Sequence, residues 1–356
     1  MYYPVATHLA AWMVILWLFL GTACRPREPS AVRIDPTAVA PFITSPTATA
    51  TPTAISATSV PSRGPIAVAT ASTTVAATPT ATRFPAPARV PTAAARPFSP
   101  GQEDPGLLAA IQEALGEDAA SVSVAVRRLS DGLSASWQAE RIFYAASLYK
   151  LAVLYEAYRQ RELGLLDFER AVPVTDVYAR EDLGTLASVP RLPNGDLRIA
   201  DAVRAMITVS DNTSATILLD LLGHRNIDAT LAALGLRATS VNTRELPTTA
   251  ADMARLMAAI VRGEGLSAAS AQEMVNLLLA QQARAGIPRG VPAGVPVGNK
   301  TGTWSGALHD VAVVYAPTGP FVIAVLTDGS GGWEVVARVA AAVYQYLARL
   351  TRTGGR

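Results

Sequence analysis

The chain has 356 residues, with 30 Lys and Arg against 28 Asp and Glu and a formal net charge of +2. That balance provides no field for a polyanion, so no nucleic-acid partner is expected. A single cysteine rules out internal disulfides and cysteine-rich metal sites; the three histidines, His8, His224 and His309, are scattered rather than clustered. A metal hydrolase is therefore excluded, and no cofactor or metal is expected.

The chain opens on an apolar run, Leu9 to Leu20, followed by Gly21-Thr22-Ala23-Cys24. The run is short for a bilayer span, and small residues before a lone cysteine look like a bacterial lipoprotein signal. Residues 1–24 are thus expected to be a signal or anchor lipidated at Cys24, with an uncleaved membrane anchor as the alternative. Residues 25–103 turn to Thr, Ala and Pro, with more than half of the chain's 25 prolines between Arg25 and Pro105. Such a composition cannot bury a core and reads as an extended tether. The protein is then expected on the outer side of the bacterial membrane, exported and tethered.

From 104 to 350 the apolar content suffices for one large domain, with 351–356 as a tail. Leu107 to Leu115 reads as a first helix. Ser121 to Leu129 and Leu133 to Gln138 read as a hairpin turning at Asp131-Gly132. A mostly helical middle runs to about Ala285. Strands follow near 295–303, 310–316 and 321–327, and Trp333 to Leu350 closes the chain as a helix. Strands at both ends with helices between imply an α/β fold: a five-stranded antiparallel sheet flanked by helices, plus a mostly helical subdomain, with the site at their junction.

The chain's only two lysines are Lys150 and Lys300. Wherever positive charge alone suffices, arginine is used, so these positions point to chemistry that needs a side chain able to lose its proton. Lys150 ends Ser147-Leu148-Tyr149-Lys150, at the start of a helical pattern. Side chains three apart on a helix are neighbours, so the amine would reach the Ser147 hydroxyl. Lys300 begins Lys300-Thr301-Gly302 on a β-like stretch, with a glycine where a substrate would approach the backbone. Between them lies Ser210-Asp211-Asn212. Each triplet taken alone also has an ordinary structural explanation as a helix cap, a turn or a strand end.

These three motifs, in this order, resemble the penicillin-recognising serine hydrolases, most closely the class A β-lactamases. The resemblance covers roughly residues 104 to 350 and implies that family's α/β fold. It implies Ser147 as the nucleophile that opens a β-lactam ring or an acyl-D-alanyl peptide, and Lys150 as the group that takes its proton. Ser210 would relay a proton to the leaving nitrogen, and Asn212 would bond both the substrate amide and Lys150. Lys300 and Thr301 would meet the substrate carboxylate across from Gly302, while the backbone N–H groups of Ser147 and Thr303 would form the oxyanion hole. Asp211 reads as structural. The implied partners are a β-lactam or an acyl-D-Ala-D-Ala peptidoglycan substrate, acted on by a monomer held at the membrane through its N-terminal anchor.

The sequence departs from the family in the loop that carries the glutamate used to hydrolyse the acyl-enzyme. Val241 to Pro247 runs straight into Thr248-Thr249-Ala250, about a dozen residues short. Glu245 is the one acidic candidate there, as a deacylating base or as a surface residue beside Arg244. Without a placed base the enzyme would resemble a penicillin-binding peptidase or a β-lactam sensor. The family's carboxylate-binding arginine is also not evident, with Arg284 and Arg289 as candidates.

Overall fold

A computed structural model describes residues 102–353. Cys24, the apolar run before it and most of the Thr/Ala/Pro-rich stretch lie outside the described residues. Among those described, no helix is long and apolar enough to cross a membrane.

The first elements are β1 (Gln102–Glu103), α1 (Pro105–Leu115), β2 (Val122–Arg128), β3 (Leu133–Trp137) and β4 (Phe143–Tyr144). The middle contains α2 (Lys150–Glu162), β5 (Ala171–Val172), α3 (Asp176–Ala179), β6 (Leu197–Arg198), α4 (Ile199–Thr208), α5 (Asn212–Leu222) and α6 (His224–Ala233). It continues through β7 (Pro247–Thr248), α7 (Ala250–Arg262), α8 (Ala268–Leu279) and α9 (Ile287–Gly290). Strands β8 (Val297–Trp304), β9 (Ala307–Ala316) and β10 (Gly319–Thr327) and helix α10 (Gly332–Thr353) finish the domain.

Strands β3, β2, β10, β9 and β8 form the expected five-stranded antiparallel sheet in that order. A sixth member, the two-residue β1, pairs in parallel with β3 at its edge. Two residues carry no periodicity of their own, so this strand is invisible to pattern reading. Local chemistry fixes the ends of several elements. The Asp104 carboxylate accepts from the Leu107 N–H at 2.7 Å and caps α1, and Pro105 sits in its first turn. Gly132, at φ +81°, supplies the left-handed residue of the β2–β3 turn.

Side chains on a strand alternate between faces, and β10 shows what that does here. Phe321, Ile323 and Val325 pack with α1 and α10, whereas Val322, Ala324 and Leu326 pack with the helical layer. The sheet is therefore covered on both sides, which is why its strands read as unbroken apolar runs rather than as alternation.

Helix α2 lies at the centre of the helical layer and is buried nearly all round. A helix with no solvent face must satisfy its polar groups internally. Glu156 does so by accepting from Arg159 at 2.6 and 2.7 Å, from Gln160 at 2.7 Å and from the Thr230 hydroxyl at 2.7 Å. Lys150, at the N-terminal end of α2, is satisfied by the second motif.

Candidate active site

Ser147 lies on a 3-10 turn, Ala146–Tyr149, that runs directly into α2 at Lys150. The expected single α-helical face is thus split between a tighter turn and the first residue of the helix. Ala146, just before the serine, is buried with φ +46°. A left-handed conformation costs an alanine about 1–2 kcal/mol, so the surroundings must impose it. They do so from two sides. The Ala145 N–H donates to the Leu246 carbonyl at 2.8 Å, and β4 pairs with β7 through Phe143 with Thr248 and Tyr144 with Pro247. Opposite, a Cβ on Gly302 would stand 2.9 Å from the Ala145 carbonyl oxygen and 3.1 Å from Leu148. The sequence reads Gly302 as a place of close substrate approach; its missing side chain also lets β8 lie against the serine turn.

The two lysines meet at one hydroxyl. Lys150 Nζ donates to the Ser210 carbonyl at 2.6 Å, to Asn212 Oδ1 at 2.6 Å and to Ser210 Oγ at 3.1 Å. Lys300 Nζ donates to the same Ser210 Oγ at 2.9 Å and to the Thr301 carbonyl at 2.8 Å. Ser210 adopts φ +59°, which turns both its carbonyl and its hydroxyl towards Lys150. Among the described residues the hydrogen bonds of Lys150 run to Ser210 and Asn212, and none runs to Ser147. Asp211 faces away: its carboxylate caps α5 by accepting from the Ser214 N–H and from the Thr185 hydroxyl, each at 2.6 Å.

Both lysine side chains are fully buried. Burial pulls the Lys150 pKa down to about 7, with the Asp211 charge opposing the shift. Burial and the neighbouring Lys150 charge pull Lys300 well below its ordinary value, against the attraction of Asp310. At neutral pH Lys150 is therefore divided between ammonium and amine. The ammonium uses three protons for three acceptors; loss of one leaves a lone pair that can take a proton from a hydroxyl.

On β8, Thr301 is buried and Thr303 lies exposed at the strand end. Behind them Asp310 is fully buried, accepting from Asn299 Nδ2 at 2.9 Å and from the Ile287 N–H at 2.8 Å. Burial raises its pKa to about 7, with those hydrogen bonds and Lys300 opposing. The arginine candidates separate cleanly. Arg289 is ion-paired with Glu334 of α10, and Arg284 donates to the Val297 carbonyl at 2.9 Å near the start of β8. Arg284 also approaches Asn299 Oδ1 at 3.5 Å. Among the described residues neither has a hydrogen bond or ion pair to the Thr301–Thr303 end of the strand.

The segment carrying Glu245 is pinned before it reaches that residue. Asp252 accepts from the N–H groups of Arg237, Ala238 and Thr239, and Asp228 accepts from Ser240 Oγ and the Val241 N–H. Beyond these anchors Asn242, Thr243, Arg244 and Glu245 are exposed, and Glu245 has no hydrogen bond to Ser147 or Lys150 among the described residues. Asp310, Asn299 and His309 were missed from sequence, because only the register of β8 against β9 brings them behind the site. Among the described residues no group of three or more His, Cys, Asp or Glu is placed to hold a metal ion.

Residues 106–347 match the model of a family described as the beta-lactamase enzyme family. The chain belongs to that family. Beta-lactamase FAR-1 of Nocardia farcinica is 31% identical over 219 residues, which are 56% of this chain and 67% of that protein. Beta-lactamase L2 of Stenotrophomonas maltophilia is 30% identical over 227 residues, covering 57% and 71% respectively. Among solved structures, PBP-A aligns with a TM-score of 0.64 at 23% identity, over 70% of this chain and 98% of its own. The reconstructed last common ancestor of Gram-negative class A beta-lactamases aligns with a TM-score of 0.61 at 25% identity, over 68% and 99%. These likenesses place the five-stranded sheet and helical layer in the class A beta-lactamase and PBP-A architecture.

Proposed function

We propose that this family member is a serine hydrolase of the class A β-lactamase type, in which Ser147 is acylated by the β-lactam ring and release of the acyl group is the slow half. The observation that carries the reading is the single hydroxyl, Ser210 Oγ, held between Lys150 and Lys300. In acylation a bond forms between Ser147 Oγ and the lactam carbonyl carbon, and the Ser147 proton passes to the Lys150 amine. Hydrogen bonds of this kind commonly tighten only with substrate in place. The carbon–nitrogen bond then breaks, and Ser210 passes a proton to the leaving nitrogen while drawing one from Lys150. Asn212 orients Lys150 and the substrate amide. Lys300 and Thr301 serve the substrate carboxylate, and the N–H groups of Ser147 and Thr303 receive the developing oxyanion.

The exposed position of Glu245 favours a second reading, a D-alanyl-D-alanine peptidase or penicillin-binding sensor that keeps its acyl group. A mutant of PBP-A is described in acyl-enzyme complex with penicillin G. Intact-mass measurement after mixing with a penicillin, beside a Ser147→Ala control, tests both. An adduct on the native protein alone supports the shared acylation step, and its absence contradicts it. Clearance with accumulating hydrolysed drug supports the hydrolase, whereas a persistent adduct supports the peptidase or sensor.

The working location is the outer side of the bacterial membrane, with Cys24 lipidated and residues 25–103 as the tether. Fatty-acid labelling that disappears in Cys24→Ser supports this placement; label retained in that variant contradicts it.

A further inference from the structure

His309 is a fully buried imidazole on β9, opposite Gly302 of β8 and Leu326 of β10. Both its nitrogens are engaged: Nε2 lies 2.9 Å from the Tyr144 carbonyl, and Nδ1 lies 3.1 Å from the Thr327 N–H. A carbonyl only accepts and a backbone N–H only donates. The ring is therefore neutral, with its proton on Nε2. The ring packs against Phe143 in an edge-to-face arrangement, at 5.6 Å between centroids and 81° between planes. Burial lowers the imidazole pKa, which favours the neutral ring.

The carbonyl that His309 holds belongs to the Tyr144–Ala145 peptide, whose other end is held by the Ala145 N–H donating to Leu246. This peptide leads into the Ala145–Ala146 peptide, which precedes the strained Ala146, and Ser147 follows. Ala146 relaxes towards an ordinary conformation by turning the Ala145–Ala146 plane, and the preceding plane, held at both ends, fixes Ala145 against that turn. The close approach of Gly302 to the Ala145 carbonyl removes the remaining space. Two independent strands, β8 and β9, thus bear on the serine turn, one by contact and one through an imidazole hydrogen bond.

We propose that His309 is a positioning residue for Ser147, holding the turn in the conformation from which the serine hydroxyl and N–H meet substrate. This rests on the assignment of Ser147 as the nucleophile. The test compares the native protein with His309→Gln and His309→Asn. The glutamine amide reaches the place of imidazole Nε2 and can donate to the Tyr144 carbonyl. The asparagine amide stops near the place of Nδ1, accepting from Thr327 but falling short of Tyr144. Both are uncharged and leave a similar gap beside Phe143.

Acylation by a fluorescent penicillin is followed as a second-order rate, beside the thermal midpoint of each protein. Displacement of a reacting group by about 1 Å costs about 100-fold, the loss expected for His309→Asn, while His309→Gln stays within about tenfold of native. Equal acylation rates in the two variants would overturn the proposal, because they would reduce His309 to core packing. Where the asparagine variant fails to fold, a 100-fold loss in a natively folded His309→Gln would overturn it equally. A native protein that takes no label would overturn the nucleophile assignment and this inference together, and labelled native protein with unimpaired His309→Asn would overturn this inference alone.

Discussion

The lysine cluster and the Glu245 loop lie on either side of the serine turn and are built in opposite ways. In the first, Lys150, Ser210, Asn212 and Lys300 form one connected hydrogen-bond network in which both lysines are fully buried. In the second, backbone anchors from Asp252 and Asp228 end at Val241, and the residues up to Glu245 stand in solvent. On the proposed reading, the groups that would form an ester are preorganised by the fold. A group to hydrolyse that ester is not.

The largest expected effect is on the connected side. Lys150→Met should lower the acylation rate by about 10⁴-fold, the upper range for a positioned general base, with the folded state retained because methionine buries no charge. In the native protein acylation should rise with pH around an inflection near 7, since only the amine has a free lone pair; stopped-flow rates against pH measure it. Stability has a matching sign. Between pH 7 and the ordinary lysine range the unfolded chain binds a proton at Lys150 that the native protein does not. Urea midpoints should therefore rise with pH there, and less steeply in Lys150→Met.

Gly302→Ala should come next. Its methyl would press on the Ala145 carbonyl, lowering acylation by about 100-fold and stability by about 1–3 kcal/mol, read from rates and denaturant titration. A neutral result would mean that β8 does not confine the serine turn. Asp252→Ala should cost about 3 kcal/mol, because it strands the Arg237, Ala238 and Thr239 N–H groups, while acylation stays within about threefold. The smallest effect is expected for Glu245→Gln, with deacylation changed by less than about threefold, since an exposed carboxylate contributes little without a fixed position. A tenfold slower deacylation in that variant would break the contrast between the two regions.

Much of this was legible before the structure. The strands of the sheet and the first and last helices announced themselves through apolar runs and turn residues. The two lysines stood out because arginine replaces lysine everywhere else. The strain at Ala146 and Ser210 left no trace in the sequence, since nothing in an alanine or a serine signals a left-handed conformation. Asp310 and His309 acquire their neighbours only through strand register, and Asp252 finds its partners more than a turn of sequence away. Gly302 was singled out for substrate approach; its second close approach, to Ala145 and Leu148 of the serine turn, left no mark in the sequence.

The most direct test is a pre-steady-state trace with a chromogenic cephalosporin, comparing product formed in the first turnover with the rate thereafter. One equivalent of product per Ser147, followed by a steady phase at least about tenfold slower, is the expected result for a preorganised acylation site beside an unplaced deacylating group. Linear turnover at the acylation rate, with no burst, would contradict it.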